Sequence, residues 1–213
     1  MQKNSLILIG SGSHSHVILD CAKLMNYQVE AIIDVQKSYP TNVNKEENIE
    51  YGFETLDKFD FNQFFFFVSL GDNLLRKKYF ELCLKKSFKP INLIHPRSFI
   101  SSNVTIEKGI FVNVNVVINS RSIISKNTII NTSSIIEHDV QIGENTHIGP
   151  GSTICGNVCI GKNVLVGAGS TIIPKITVGN NVIIGSGSVI IENIPDNCIV
   201  AGVPGKYKKK YND

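Results

Sequence analysis

Of the chain's five histidines, His138 sits where an imidazole is best placed to do chemistry. It is the third residue of a six-residue unit that starts at Ile136, so it should project from the coil instead of entering the core. An imidazole titrates near neutral pH and can take a proton from an attacking amine or hydroxyl. An ordinary surface histidine fits the same position, and residue type alone leaves both readings open. His147 follows nine residues later. A second candidate is the turn Gly10-Ser-Gly-Ser-His-Ser15, between an apolar run and a helical pattern. Free amides at a helix N-terminus favour a phosphate. The turn has the first two glycines of a GxGxxG fingerprint, but the third position is Ser15, so the fingerprint is incomplete. A tight turn without a ligand is the alternative.

The cysteines argue against a covalent route. Cys21, Cys83, Cys155, Cys159 and Cys198 are odd in number and show no CxxC or other zinc spacing. Neither Cys155 nor Cys159, both in the repeat region, has an obvious activating partner in sequence. They predict reduced thiols in a cytoplasmic protein.

The elements that must hold these residues fall into two regions with different patterns. Residues 1–90 alternate strand and helix. Ser5–Ile9 reads as a buried strand, and Val17–Met25 has helical spacing. Glu30–Val35 reads as a second strand ending near Asp34, with a polar loop over 36–52. Phe64–Leu70 is a third strand, closed by Gly71-Asp-Asn73; Leu74–Lys86 reads as a helix and Ile91–Ile94 as a strand. This predicts a small α/β domain with a parallel sheet. It is too short for a complete two-half dinucleotide fold, which argues against a hydride-transfer site.

From residue 91 to 213 the pattern changes. Every sixth position from Ile94 to Ile190 is isoleucine or valine: fourteen Ile, with Val112, Val166 and Val178. Four residues later the side chain is usually small or β-branched, as at Ser122, Thr128, Ser134 and Val140. Glycine often follows the repeated residue directly, as at Gly143, Gly149, Gly161, Gly167, Gly179 and Gly185. A period of six fits neither a helix nor a hairpin array. It predicts a parallel β-helix whose triangular coils take about eighteen residues each. Glycine or asparagine should take the corners that need positive φ. Solenoids leave faces and edges to be covered, so a homo-oligomer is expected, and a trimer would give three equivalent grooves.

Composition removes other classes. The net charge of +3 is too small to argue for nucleic acid. The excess sits mostly in Lys206 and Lys208 to Lys210, expected as a short basic tail that is solvated or meets a phosphate. No secretory signal is recognised, and no apolar run approaches the ~20 residues of a membrane span.

The chain resembles the hexapeptide-repeat acyltransferases. It is most similar to bacterial sugar acetyltransferases with a small nucleotide-binding domain in front: PglD-like amino-sugar N-acetyltransferases, perosamine N-acetyltransferases and NeuD-like sialic acid O-acetyltransferases. Besides the Gly10–Ser15 turn, the resemblance rests on Ile91-Asn-Leu-Ile-His-Pro96, Asn131-Thr-Ser-Ser-Ile-Ile-Glu-His-Asp139, Gly156-Asn-Val158 and Ala201-Gly-Val-Pro-Gly-Lys206. It implies a Rossmann-like nucleotide-sugar-binding domain over 1–90 and a left-handed parallel β-helix over 91–213 that binds acetyl-CoA between subunits of a homotrimer. It implies His138 as general base, oriented by Asp139 or by the rival Glu137. It places His147 beside acetyl-CoA and Asn131 near the amino sugar. Backbone contacts to acetyl-CoA fall at Gly167, Ala168, Gly185 and Ser186, with Lys206 near the adenosine end. Gly12, Ser13, His14, Asp34 and Gly71 would contact a UDP-amino sugar. No metal is implied. The activity implied is N-acetylation of a nucleotide-linked amino sugar, UDP-4-amino-4,6-dideoxy-N-acetylglucosamine or a relative. O-acetylation of sialic acid or another sugar, and N-acetylation of GDP-perosamine, are the alternatives. A zinc-dependent anhydrase on the same fold needs three histidines round the metal, and only His138 and His147 lie in the repeats. A scaffold that has lost activity is a further alternative.

Overall fold

The computed structural model describes residues 4–35 and 48–211. The chain divides into two compact units between Leu93 and Ile94. In the first, Asn4–Ile9 forms β1, with Leu6, Ile7, Leu8 and Ile9 fully buried. A strand covered on both faces reads as a continuous apolar run. Ser13–Leu24 is α1, Tyr27–Asp34 is β2, Ile49–Tyr51 is β3, Phe65–Val68 is β4, Asn73–Lys85 is α2 and Lys89–Pro90 is β5. The sheet order is β3-β2-β1-β4-β5, with every pair parallel. The order reverses at β1: the chain builds outward to β3, then returns to the other side as β4. The carboxyl ends of β1 and β4 therefore flank a topological switch point, where open α/β sheets bind ligands.

Two expectations for this unit need correction. Within the expected loop over 36–52, residues 36–47 lie outside the described residues, while Ile49–Tyr51 pairs with β2 as an edge strand. Three residues are too few to show alternation. Of the strand expected over Ile91–Ile94 only Leu93–Ile94 forms, in the eight-stranded sheet, while Lys89–Pro90 just before it pairs with β4. An edge strand tolerates Pro90, because its outer side needs no N–H donor.

The second unit is a left-handed parallel β-helix. Two-residue strands recur every six residues and pair eighteen residues apart: Ile118 with Ile100 and Ile136, Ile124 with Ile106 and Ile142, Ile130 with Val112 and Ile148. This makes three flat sheets of six, five and eight strands. The repeated Ile and Val are buried from Val112 to Ile190, and Ile94, Ile100 and Ile106 pack against the same core partly buried. The residue four positions later also points inward. At several of these positions a hydroxyl donates to the carbonyl of a glycine on the next coil: Ser134 to Gly149 at 2.9 Å, Thr146 to Gly161 at 2.9 Å, Ser152 to Gly167 at 3.0 Å. A hydroxyl with a partner is admissible in a core.

Asparagine and glycine both take the corners, as expected, and a second set of glycines does a different job. The left-handed corner lies three residues after each Ile. Asn127, Asn145, Asn163 and Asn181 occupy corners, as do Gly151, Gly169 and Gly187. The asparagine side chains form a ladder, each amide donating to the next from Asn127 through Asn145, Asn163 and Asn181 to Asn197 at 2.8–3.2 Å. The glycines directly after the Ile have no positive φ. They are required by close stacking: a Cβ on Gly143 would lie 2.6 Å from the Gly161 carbonyl carbon, and one on Gly167 would lie 2.4 Å from the Ser186 nitrogen.

The basic run is a strand and not a tail. Cys198–Ala201 joins the eight-stranded sheet, and Lys206–Lys210 returns antiparallel on it as an exposed edge. Lysines on an edge discourage pairing with another chain. Among the described residues no helix is long and apolar enough to cross a membrane.

Candidate active site

His138 and Asp139 occupy one corner of the β-helix. Asp139 turns the chain at φ 59°, a conformation Asp tolerates better than most residues. Rung bonds fix the backbone: Asp139 N–H donates to the Ser120 carbonyl at 3.1 Å, and the His138 carbonyl accepts from Asn157 N–H at 3.1 Å. The His138 side chain is 52% exposed, open to a substrate. Its Nδ1 lies 2.7 Å from Asp139 Oδ2. Hydrogen bonds from Arg121, and then from His138, hold the Asp139 carboxyl well below the usual carboxylate range. An ionised carboxylate only accepts, so in the neutral ring Nδ1 carries the hydrogen and Nε2 keeps its lone pair. Glu137, the rival partner, accepts from Asn119 Nδ2 at 3.0 Å.

The imidazole lies over the next coil. A Cβ on Gly156 would sit 2.7 Å from His138 Cε1 and 2.8 Å from Nε2. Gly156 leaves the space the ring fills.

A second polar cluster brings Asn131 and His147 together, with Asn131 Nδ2 3.2 Å from His147 Nε2. Asn113, almost fully buried one coil earlier, donates to Asn131 Oδ1 at 3.1 Å and to Thr132 Oγ1 at 2.8 Å. Gly167 and Gly185 stack on adjacent coils. A Cβ on Gly149 would meet the Ala168 nitrogen at 2.7 Å, and the Ala168 carbonyl accepts from Gly187 N–H at 2.8 Å. Ala168 and Ser186 thus follow glycines along an edge of small residues. Lys206 opens the last strand.

In the first unit, Gly10 has φ 113°, and a Cβ there would strike Leu70 Cδ2 at 2.6 Å. Ser69 Oγ donates to the Gly10 carbonyl at 2.6 Å, tying the ends of β1 and β4. Ser15, in the third fingerprint position, folds its hydroxyl back to the Gly12 carbonyl at 2.7 Å. Gly12 caps α1 without a side-chain bond, Ser13 begins the helix, and a Cβ on Gly12 or Gly71 would meet nothing within 4 Å. Asp34 is buried at the end of β2, its carbonyl accepting from Gly52 N–H at 2.9 Å. His14 is half-buried; burial and the Arg76 cation push its pKa down to about 4, so it is neutral at pH 7.

That shift has a measurable consequence. Between pH 6.5 and about 4 the unfolded chain protonates this ring and the folded chain does not. The unfolded state binds more protons, so stability falls as pH drops through the window, by on the order of 3 kcal/mol at full extent. Urea melts from pH 7 to pH 4.5 should lose that part of their slope in His14→Gln. An unchanged slope would refute the assignment.

Three residues escape sequence reading. Arg76 in α2 is fully buried, donating to the Leu70 carbonyl at 3.3 Å, the Gly71 carbonyl at 3.1 Å and Asn73 Oδ1 at 2.9 Å, and so fastens the Gly71 loop. Burial pulls its pKa down to about 9. Nothing local in sequence marks an arginine as interior. Asn113 and Arg121 lie one coil before Asn131 and Asp139, a spacing of eighteen that the repeat makes searchable.

Burial pushes the Cys21 thiol up to about 11 and Cys83 to about 12, and raises Cys155 and Cys198, which disfavours the thiolate at these four. Among the described residues no group of three or more His, Cys, Asp or Glu side chains is placed to hold a metal ion.

Comparison with known proteins fits this architecture. Residues 5–82 match the PglD N-terminal domain, and residues 121–156 and 157–192 each match the bacterial transferase hexapeptide of six repeats. PerB from Caulobacter crescentus, crystallised with CoA and GDP-perosamine, is 30% identical over 96% of this chain and 97% of its own, with a TM-score of 0.89. The acetyltransferase domain of PglB from Neisseria gonorrhoeae, solved in complex with acetyl coenzyme A, is 30% identical over 97% of this chain and all of its own, with a TM-score of 0.89. A front domain of the PglD type, the hexapeptide helix and these full-length likenesses together establish that the chain belongs to the hexapeptide-repeat sugar acetyltransferases.

Proposed function

We propose that the protein transfers the acetyl group of acetyl-CoA to the 4-amine of a nucleotide-linked amino sugar, UDP-4-amino-4,6-dideoxy-N-acetylglucosamine or a near relative. The observation that carries the reading is the His138–Asp139 pair, an accessible imidazole whose Nδ1 is engaged 2.7 Å from a carboxylate and whose Nε2 is left basic. In this reading the amine nitrogen bonds to the thioester carbonyl carbon and gives its proton to Nε2. The C–S bond then breaks and the sulfur leaves as thiolate, which takes up a proton. A backbone amide stabilises the oxyanion. Asn131 and His147 contact the amino sugar and the acetyl donor, and acetyl-CoA runs along the edge at Gly167, Ala168, Gly185 and Ser186 toward Lys206. The stacked glycines support this, since they keep side chains off the edge. Gly12, Ser13, His14, Asp34 and Gly71 hold the nucleotide at the switch point of the front sheet.

The groove is completed by a second copy in a homotrimer. Phe99, 59% exposed, and Ile135, 37% exposed, leave one flat face apolar, as a packing face would be. A light-scattering mass of one chain would overturn that part. The five free thiols suit the cytoplasm.

One relative's complex with GDP-perosamine favours a second reading, a GDP-linked 4-amino sugar. Release of CoA should be followed with UDP- and GDP-linked 4-amino sugars and with free sialic acid. Turnover on one of the amino sugars is expected. Turnover on sialic acid alone would replace amine by hydroxyl acetylation.

A further inference from the structure

Asp139 has a second partner besides His138. Arg121, one coil earlier, places Nε 2.6 Å from Asp139 Oδ1 and Nη2 2.7 Å from Oδ2. The planar fork of a guanidinium fixes both oxygens of a carboxylate at once. Oδ2, held by Arg121 from one side, is the same oxygen that lies 2.7 Å from His138 Nδ1. The carboxylate therefore has neither its plane nor its tilt free.

The backbone gives an independent sign that the arginine serves its side chain. Arg121 sits at a left-handed corner with φ 62°, where most corners of this helix use asparagine or glycine. Those residues suit that conformation, and arginine does not. The Arg121 side chain is 66% exposed, so core packing does not account for it.

Resting on the reading of His138 as the base, we propose that Arg121 is the positioning residue of the site. It clamps Asp139 so that the carboxylate locks the His138 ring with Nε2 facing outward. The ring is then held from two directions, by Arg121 through Asp139 and by the bare Gly156 backbone of the next coil. A carboxylate freed from the fork can rotate, and the imidazole follows it. Small misplacements of a base carry large rate penalties.

The test is a double-mutant cycle in steady-state kinetics with acetyl-CoA and the best amino-sugar acceptor. Arg121→Gln should lower kcat about tenfold, with both KM values within about twofold of the parent and the melting temperature little changed. Arg121→Lys should recover part of the loss, since it keeps the charge without the fork. Combined with Asp139→Asn, Arg121→Gln should cost nothing further, because it acts only through the carboxylate. Parental kcat in Arg121→Gln, or an equal loss in the Asp139→Asn background, would overturn the proposal. His138→Ala is measured beside them. Parental rate in that variant defeats the base assignment itself, whereas a slow His138→Ala with a fast Arg121→Gln defeats the positioning role alone.

Discussion

With His138 as the proposed base, replacing it by alanine should slow acetyl transfer about 10²–10⁴-fold and leave the fold unchanged, because the ring packs on the surface of the coil and not in its core. The side chain is 52% exposed and enters no core, while its backbone is held by rung bonds that alanine keeps. Asp139 retains its two bonds from Arg121, so truncation leaves no unpaired buried charge. The loss belongs in kcat, since proton removal contributes only as the nitrogen–carbon bond forms. Steady-state CoA release with a thermal melt separates the two effects. Near-parental turnover would move the base elsewhere, with His147 next in line.

The β-helix is legible in the sequence because its physics is periodic. One Ile or Val in six, usually with a small or β-branched residue four places later, recurs rung after rung, so seventeen positions repeat the message. The corners are harder to read. Gly161 and Asn163 both look like turn residues, yet only Asn163 has positive φ, while Gly161 is bare because the Gly179 backbone lies against it. That distinction depends on the distance between coils, which a single strand of text does not contain. His138 and Asp139 are adjacent in sequence, so their pairing is easy to expect. Asp139 rather than Glu137 lies 2.7 Å from His138 Nδ1, and the other partner of each carboxylate comes from one coil earlier: Arg121 meets the first and Asn119 the second. In the front domain, β1, β4 and the glycine turn are readable from apolar runs, but the buried Arg76 is not. It donates to carbonyls and a side-chain amide in its own loop, which are in place only once the loop has folded.

The difference between a glycine that serves the fold and one that serves the site yields the second large effect. In Gly161→Ala the new methyl would meet backbone, 2.7 Å from the Gly179 carbonyl carbon and oxygen, so coils must separate and stability falls. In Gly156→Ala the new methyl would meet the His138 ring, at 2.7 Å from Cε1 and 2.8 Å from Nε2. A half-exposed side chain yields where a rung cannot. The ring has to swing off by roughly an ångström, and a displacement of that size costs about 10²-fold in rate. Gly156→Ala should therefore lose about two orders of magnitude in kcat, with a melting temperature close to the parent and little change in KM for acetyl-CoA. Gly161→Ala should show the reverse, a lowered melting temperature with per-molecule turnover close to normal at low temperature. Full activity in Gly156→Ala would mean that the imidazole works from a position other than the one it occupies over the next coil, and the base would then have to be sought in a rotated ring.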